Sequence, residues 1–253
     1  MAIKFPKSEK YNFTRNLVKR YKLVDHLDRY FGDEVEEFQF IYEPKKKDDA
    51  WHPSGHCTPP PSVLYDIATG NVEHKEWGSK MLRTFMVGHF WHQLLQKAVV
   101  DLGLAEESAI ERQGVRTWGD PMTRAPYHWA TGAGDVAPCS LPGHGDYIID
   151  FKTMSSFQFK PNKVPDWAAN KYEAQINIYM DFFDLEHGLI VAINKDDSEM
   201  KEFEYVRNQP LVDAIYDKWK FVSECLEIEH RPEAEDDAMF DYIDELFTGP
   251  IAQ

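Results

Sequence analysis

The sequence predicts an α/β chain in which one central mixed sheet is flanked by helices, with a helical extension on its N-terminal side. Three observations carry this. The run Gly145-Asp146-Tyr147-Ile148-Ile149-Asp150-Phe151-Lys152-Thr153 has an apolar, β-branched centre that suits a buried central strand. Long segments of helical period lie before and after it, at 76–102 and 166–186. Two further strand-like runs, 188–194 and 200–206, are joined by the polar turn Lys195-Asp196-Asp197-Ser198, a hairpin signal. Helices, strands, a helix, a strand pair and helices again, in that order, describe one sheet covered by helices. The chain has 253 residues and is 43% hydrophobic, enough for one sizeable core.

From the N-terminal side, Phe13, Leu17, Tyr21 and Leu27 give helical spacing over 12–31. Residues 43–62, with Lys45-Lys46-Lys47 and Pro59-Pro60-Pro61, predict a loop, and Leu64 to Ala68 a short helix stopped by Gly70. Trp77, Met81, Phe85, Trp91, Leu95 and Val99 mark a long helix over 76–102, which Gly103 ends. Short strands are expected at 110–118, 127–136 and 145–153. After the hairpin, Leu211, Ile215, Trp219, Val222 and Leu226 place a helix at 210–229, followed by a short acidic helix near 235–247.

Charge and cysteine usage exclude several classes. No apolar run reaches ~18 residues, so no membrane span is expected, and the first residues lack the apolar stretch of a secretory signal; the chain reads as cytoplasmic. Cys57, Cys139 and Cys225 are too few and too far apart for a disulfide framework or a zinc knuckle. The net charge of −15 argues against a protein that coats nucleic acid, though not against an enzyme that grips it locally. Charge is segregated: residues 1–22 carry seven Lys and Arg against Glu9, and residues 224–245 carry ten acids against Arg231. A basic arm at a nucleic-acid site and a solvated helix face both fit the first stretch.

Four small motifs follow in order. Gly88 and His92 share one face of the long helix, where a glycine admits close approach. Gly132-Ala133-Gly134-Asp135 predicts a glycine-rich bend within a strand that aims an acid. Asp150 and Lys152, two apart on a strand, point to the same side. Gln175 and Tyr179 share a face of the next helix. Singly, each has a plain reading: a polar helix residue, a turn aspartate, a salt bridge, an amphipathic surface. Together they make a chemistry. Asp135 and Asp150 offer hard oxygen ligands for Mg²⁺ or Mn²⁺, and His92 a nitrogen that leans toward Mn²⁺. Such a cation acidifies water and polarises phosphate, and Lys152 can orient the water or stabilise charge at phosphorus.

The set Gly88…His92, Gly132…Asp135, Asp150-Phe151-Lys152 and Gln175…Tyr179 resembles the RecB-like branch of the PD-(D/E)XK nuclease superfamily, over about residues 76–206. That branch includes CRISPR-associated adaptation nucleases and phage-encoded exonucleases. The resemblance implies a restriction-endonuclease-like core at 76–206, an extension at 1–75, and C-terminal helices packed on the core at 207–253 with an acidic tail. It implies His92, Asp135, Asp150 and the carbonyl of Phe151 as metal ligands, Lys152 as the catalytic lysine, and Gln175 and Tyr179 as supports for DNA and the lysine. Some relatives hold an iron–sulfur cluster with one cysteine before the core and three after it. Here only Cys225 lies after it, so no cluster is expected. The resemblance thus points to a phage-type, Mg²⁺- or Mn²⁺-dependent DNA exonuclease of recombination or replication. An endonuclease of the same superfamily, and a non-catalytic DNA-binding or assembly protein keeping the fold, are the alternatives. The acidic C-terminal stretch could dock a basic partner such as a single-strand annealing protein.

Three other features invite a reading. His52, His56 and Cys57 could be a zinc cluster or loop composition. His144 and Asp146 could touch metal or DNA, or serve a turn. Lys195 could meet phosphate or water.

Overall fold

A computed structural model describes residues 2–4, 22–33, 37–39, 48–72, 79–118, 126–159 and 169–251. The elements in order are β1 (Ala2–Lys4), α1 (Val24–Asp33), β2 (Glu37–Gln39), α2 (Pro53–His56), α3 (Pro61–Ala68), α4 (Ser79–Asp101), β3 (Ile110–Thr117), β4 (Trp129–Leu141), β5 (Gly145–Met154), α5 (Ala169–Phe183), β6 (His187–Asn194), β7 (Met200–Val206), α6 (Gln209–Glu227) and α7 (Ala234–Ala238). Short 3₁₀ segments occupy Glu107–Ala109 and Asp241–Leu246. β1 and β2 form a small antiparallel pair.

The main sheet has five strands in the order β3-β4-β5-β6-β7. All neighbours are antiparallel except β5 and β6, which run parallel and are connected through α5. A parallel pair needs such a crossover. The expected mixed sheet flanked by helices is therefore present, with helical segments ahead of it.

Strand alternation sorts the sheet residues into two cores. Ile149 and Phe151 of β5, with Leu189, Val191 and Ile193 of β6, pack against Leu27 of α1 and Leu95 and Val99 of α4. The intervening Ile148, Ile190 and Ala192 pack against Ile176, Tyr179 and Met180 of α5. A third cluster covers the outer side of α5, where Ala174 and Ile178 meet Leu211, Ile215 and Trp219 of α6, together with Trp51 and Leu64. Because α5 is sandwiched between sheet and α6, nine consecutive residues, Tyr172 to Met180, are buried.

Several expectations shift. The glycine-rich segment 132–135 does not bend: Gly132 pairs with Gly114 and Gly134 with Arg112 inside continuous β4. The irregularity falls later, between Val136 and Cys139, and β4 runs on to Leu141. The glycines serve packing instead. A Cβ on Gly132 would lie 2.9 Å from the Tyr179 ring, and one on Gly134 would lie 2.4 Å from Ile148 Cδ1. Within the expected loop 43–62, Pro53–His56 is helical, and Trp51, which bridges to Ala130 of β4, is fully buried. The acidic helix near 235–247 divides into α7 and a 3₁₀ turn. Residues 12–21, 76–78 and 166–168 of the expected helices lie outside the described residues. No described helix is long and apolar enough to cross a membrane.

Candidate active site

β4 and β5 place the two aspartates side by side. Val136 pairs with Ile149, so Asp135 and Asp150 are neighbours across the two strands, and both are buried. Asp135 Oδ2 accepts a hydrogen bond from the backbone N–H of Phe151 at 2.6 Å, while Oδ1 lies 3.1 Å from Nδ1 of His92 on α4. Lys152, on the same side of β5 as Asp150, donates to Asp150 Oδ1 at 3.1 Å and to Gln175 Oε1 of α5 at 3.0 Å. Gln175 in turn donates to the Tyr179 hydroxyl at 3.2 Å. All seven residues singled out from the sequence thus meet in one place: His92, Asp135, Asp150, Phe151, Lys152, Gln175 and Tyr179.

The electrostatics are asymmetric. Burial pushes the Asp150 carboxyl up to about 6; Lys152 opposes that rise and the neighbouring charge of Asp135 adds to it. Burial also works to raise Asp135, but the charge and hydrogen bond of His92, then Lys152 and the Phe151 N–H, outweigh it and hold Asp135 below the usual carboxylate range. Burial disfavours the charged forms of His92 and Lys152, yet the two carboxylates overcome it and raise both.

One atom is left over. Asp150 Oδ2 is buried and has no hydrogen-bond partner. The Lys152 ammonium comes within 2.8 Å of it, an ion-pair distance, but its hydrogen bond goes to Oδ1. A buried carboxylate oxygen without a hydrogen bond is costly. Beside a second buried carboxylate it has the chemistry of a hard-cation ligand, and in that respect the pair fits Mg²⁺ or Mn²⁺. His92 is turned onto Asp135, and among the described residues no group of three or more His, Cys, Asp and Glu side chains is arranged to hold a metal ion.

Two residues join the site that the motifs did not name. Gln96 continues the Gly88–His92 stripe of α4 by one turn; it donates to Glu111 Oε1 at 2.9 Å and to the Asp135 carbonyl at 3.4 Å. Its spacing of four from His92 is the signal that could have found it. Tyr172, three before Gln175, presents its ring 5.2 Å from the Lys152 ammonium. Gly88 has the close approach expected of it, since a Cβ there would lie 3.2 Å from Thr153 Oγ1.

The other candidates stand apart. The His52 N–H donates to His56 Nδ1 at 2.8 Å and His52 Nε2 lies 2.6 Å from Asp48 Oδ1, so the two histidines organise a turn beside buried Cys57. His144 and Asp146 sit at the β4–β5 turn, where Ser140 donates to Asp146 at 2.6 Å. Lys195 lies at the β6–β7 turn, its N–H bonded to the Met154 carbonyl at 2.9 Å.

No protein-family model and no curated protein matches the chain. Among solved structures, that of SSO0001 is similar with a TM-score of 0.45 and 15% identity, covering 80% of this chain and 84% of that one. An alkaline exonuclease (LHK-Exo) from Laribacter hongkongensis is similar with a TM-score of 0.38 and 14% identity, covering 78% of this chain and 92% of that one. At such scores neither likeness speaks to the chemistry of this site.

Proposed function

We propose that this chain is a metal-dependent deoxyribonuclease, and within that class an exonuclease acting on DNA ends in phage-type recombination or replication. The observation that carries the reading is that buried Asp150 stands between Asp135 on one side and Lys152 on the other, with one carboxylate oxygen that accepts no hydrogen bond. Charged groups are not gathered in a core for packing alone, because desolvating them costs more than apolar side chains would.

Asp135 and Asp150 would hold Mg²⁺ or Mn²⁺; His92, here turned onto Asp135, and the Phe151 carbonyl are the further donors the reading assigns to the ion. A bound divalent cation supplies Lewis acidity, polarising a phosphate oxygen and making water a better nucleophile. Lys152 keeps its proton because two carboxylates face it. It is therefore suited to stabilise negative charge gathering on the phosphate oxygens, which is where such groups contribute most. Gln175 and Asp150 both accept from the ammonium, which fixes it beside the carboxylate pair. Tyr179 is buried, so it acts through Gln175, fixing which way the amide faces.

DNA is the proposed partner, and the exposed acids after Glu233 suit a basic protein such as a single-strand annealing protein. The test is incubation of end-labelled linear DNA and closed circular DNA with Mn²⁺, Mg²⁺ or EDTA. Shortening of linear DNA with intact circles, only with metal, is the expected result. Cut circles would make the enzyme an endonuclease, and no cleavage of any DNA with any metal would remove the nuclease reading.

A further inference from the structure

Five residues beyond Lys152, Phe157 is 92% exposed, more than any other large apolar side chain among the described residues. A single exposed apolar residue is ordinary. This one is held out by a turn that is pinned on three sides. Gln158 and Phe159 donate backbone N–H bonds to the Ser155 carbonyl at 2.8 and 2.9 Å. Ser156 donates through both N–H and Oγ to Asp196 Oδ2 at 2.7 Å, and its Oγ lies 3.2 Å from Asn194 Oδ1. Phe159 is buried under the Lys201 ammonium, 4.7 Å from its ring. The ring of Phe157 is therefore presented to solvent by a fixed support, with little ordering left to lose on binding.

Phe159 of this turn belongs to the same core cluster as Met154 of β5 and Tyr172 of α5. Next to Tyr172 is Lys171, which lies one helical turn before Gln175 and two before Tyr179, on the stripe that reaches Lys152. Among the described residues Lys171 has no carboxylate within ion-pair distance, in a chain of net charge −15. Partial burial and the charge of Lys152 nearby lower its affinity for its proton. A cation beside Lys152, unpaired among the described residues, and an exposed ring five residues after Lys152 in the chain are the two groups that single-stranded nucleic acid needs: one for the backbone, one for a base face.

We propose that Phe157 and Lys171 grip single-stranded DNA beside the scissile phosphate, Phe157 stacking on a base and Lys171 meeting a backbone phosphate. This rests on the nuclease reading of the site. Binding of a short labelled single strand and of a blunt duplex is measured by anisotropy in EDTA, so that no cleavage is involved. Phe157→Ala should weaken single-strand binding about 5- to 100-fold while leaving the duplex unchanged. Phe157→Trp should keep the affinity and show fluorescence quenched by the single strand over the wild-type background. Lys171→Gln should reduce the slope of log affinity against log salt by about 0.7. Phe157→Ala binding the single strand like wild type, or losing single strand and duplex equally, overturns the proposal. So does a wild type that binds no single strand; if that protein still cleaves duplex DNA with metal, the nuclease reading survives without the grip.

Discussion

Two groups of buried charge meet β5, one at each end, and they are built differently. Toward its start, Tyr147 donates to Glu204 Oε1 of β7 at 2.9 Å, and Lys22 pairs with Glu204 Oε2. Glu202, two residues away, accepts from the backbone N–H groups of Lys22, of Leu23 at 2.9 Å and of Val24 at 3.3 Å. Every carboxylate oxygen there is used, and what it does is tie the start of α1 to the sheet. Lys22 and Tyr147 outweigh burial and hold Glu204 below the usual carboxylate range. Toward the end of β5, by contrast, Asp150 keeps an oxygen without a hydrogen bond and sits at about 6. A closed network holds structure together; an open one stores a cost that a ligand can relieve.

This contrast can be broken in four places. The largest effect is expected from Lys152→Ala, which should lower cleavage about 10²- to 10³-fold with Mn²⁺ affinity retained; unchanged single-turnover rates would break the assignment. Asp150→Asn should remove a pH dependence from the stability of the metal-free protein. An acid whose folded value lies above its ordinary 3.8 binds its proton more tightly when folded, so wild type loses stability as pH rises from about 4 through about 6. The difference in stability between variant and wild type should therefore shift in the variant's favour as pH rises from about 4 to about 7. Denaturant titrations in EDTA across that range would read it, and a gap independent of pH would contradict it. Glu202→Ala, at the closed end, should cost about 1–3 kcal/mol of stability because the first N–H groups of α1 lose their acceptor, with the rate per folded molecule unchanged. Smallest, Gln175→Leu should reduce kcat about tenfold and leave metal affinity intact, which separates support of Lys152 from metal binding.

The open end was more legible in the sequence than the closed one, for a physical reason. Asp150 and Lys152 stand out because charge interrupts an apolar strand, and Gln175 and Tyr179 because their spacing matches a helix face. Glu202 and Glu204 lie in a strand that alternates in the ordinary way, and their partners Lys22 and Leu23 are about 180 residues away. Nothing local announces that pairing. The same limit hid Trp51. Its polar, proline-rich surroundings read as a loop, while its burial comes from stacking near Trp219, at a ring separation of 6.5 Å, and from bonding to β4. The glycines of β4 answer to close packing against Tyr179 and Ile148, and close packing and a bend leave the same mark in sequence. The helical face of Gly88 and His92 extends one turn further, to Gln96, which its bond to the Asp135 carbonyl reveals.

The most direct test of the account is a calorimetric titration of Mn²⁺ into wild type, Asp150→Asn and Glu204→Gln at neutral pH. Saturable binding to wild type, binding weakened at least about tenfold in Asp150→Asn, and wild-type binding in Glu204→Gln are expected. Equal binding by wild type and Asp150→Asn, or none by wild type, would contradict it.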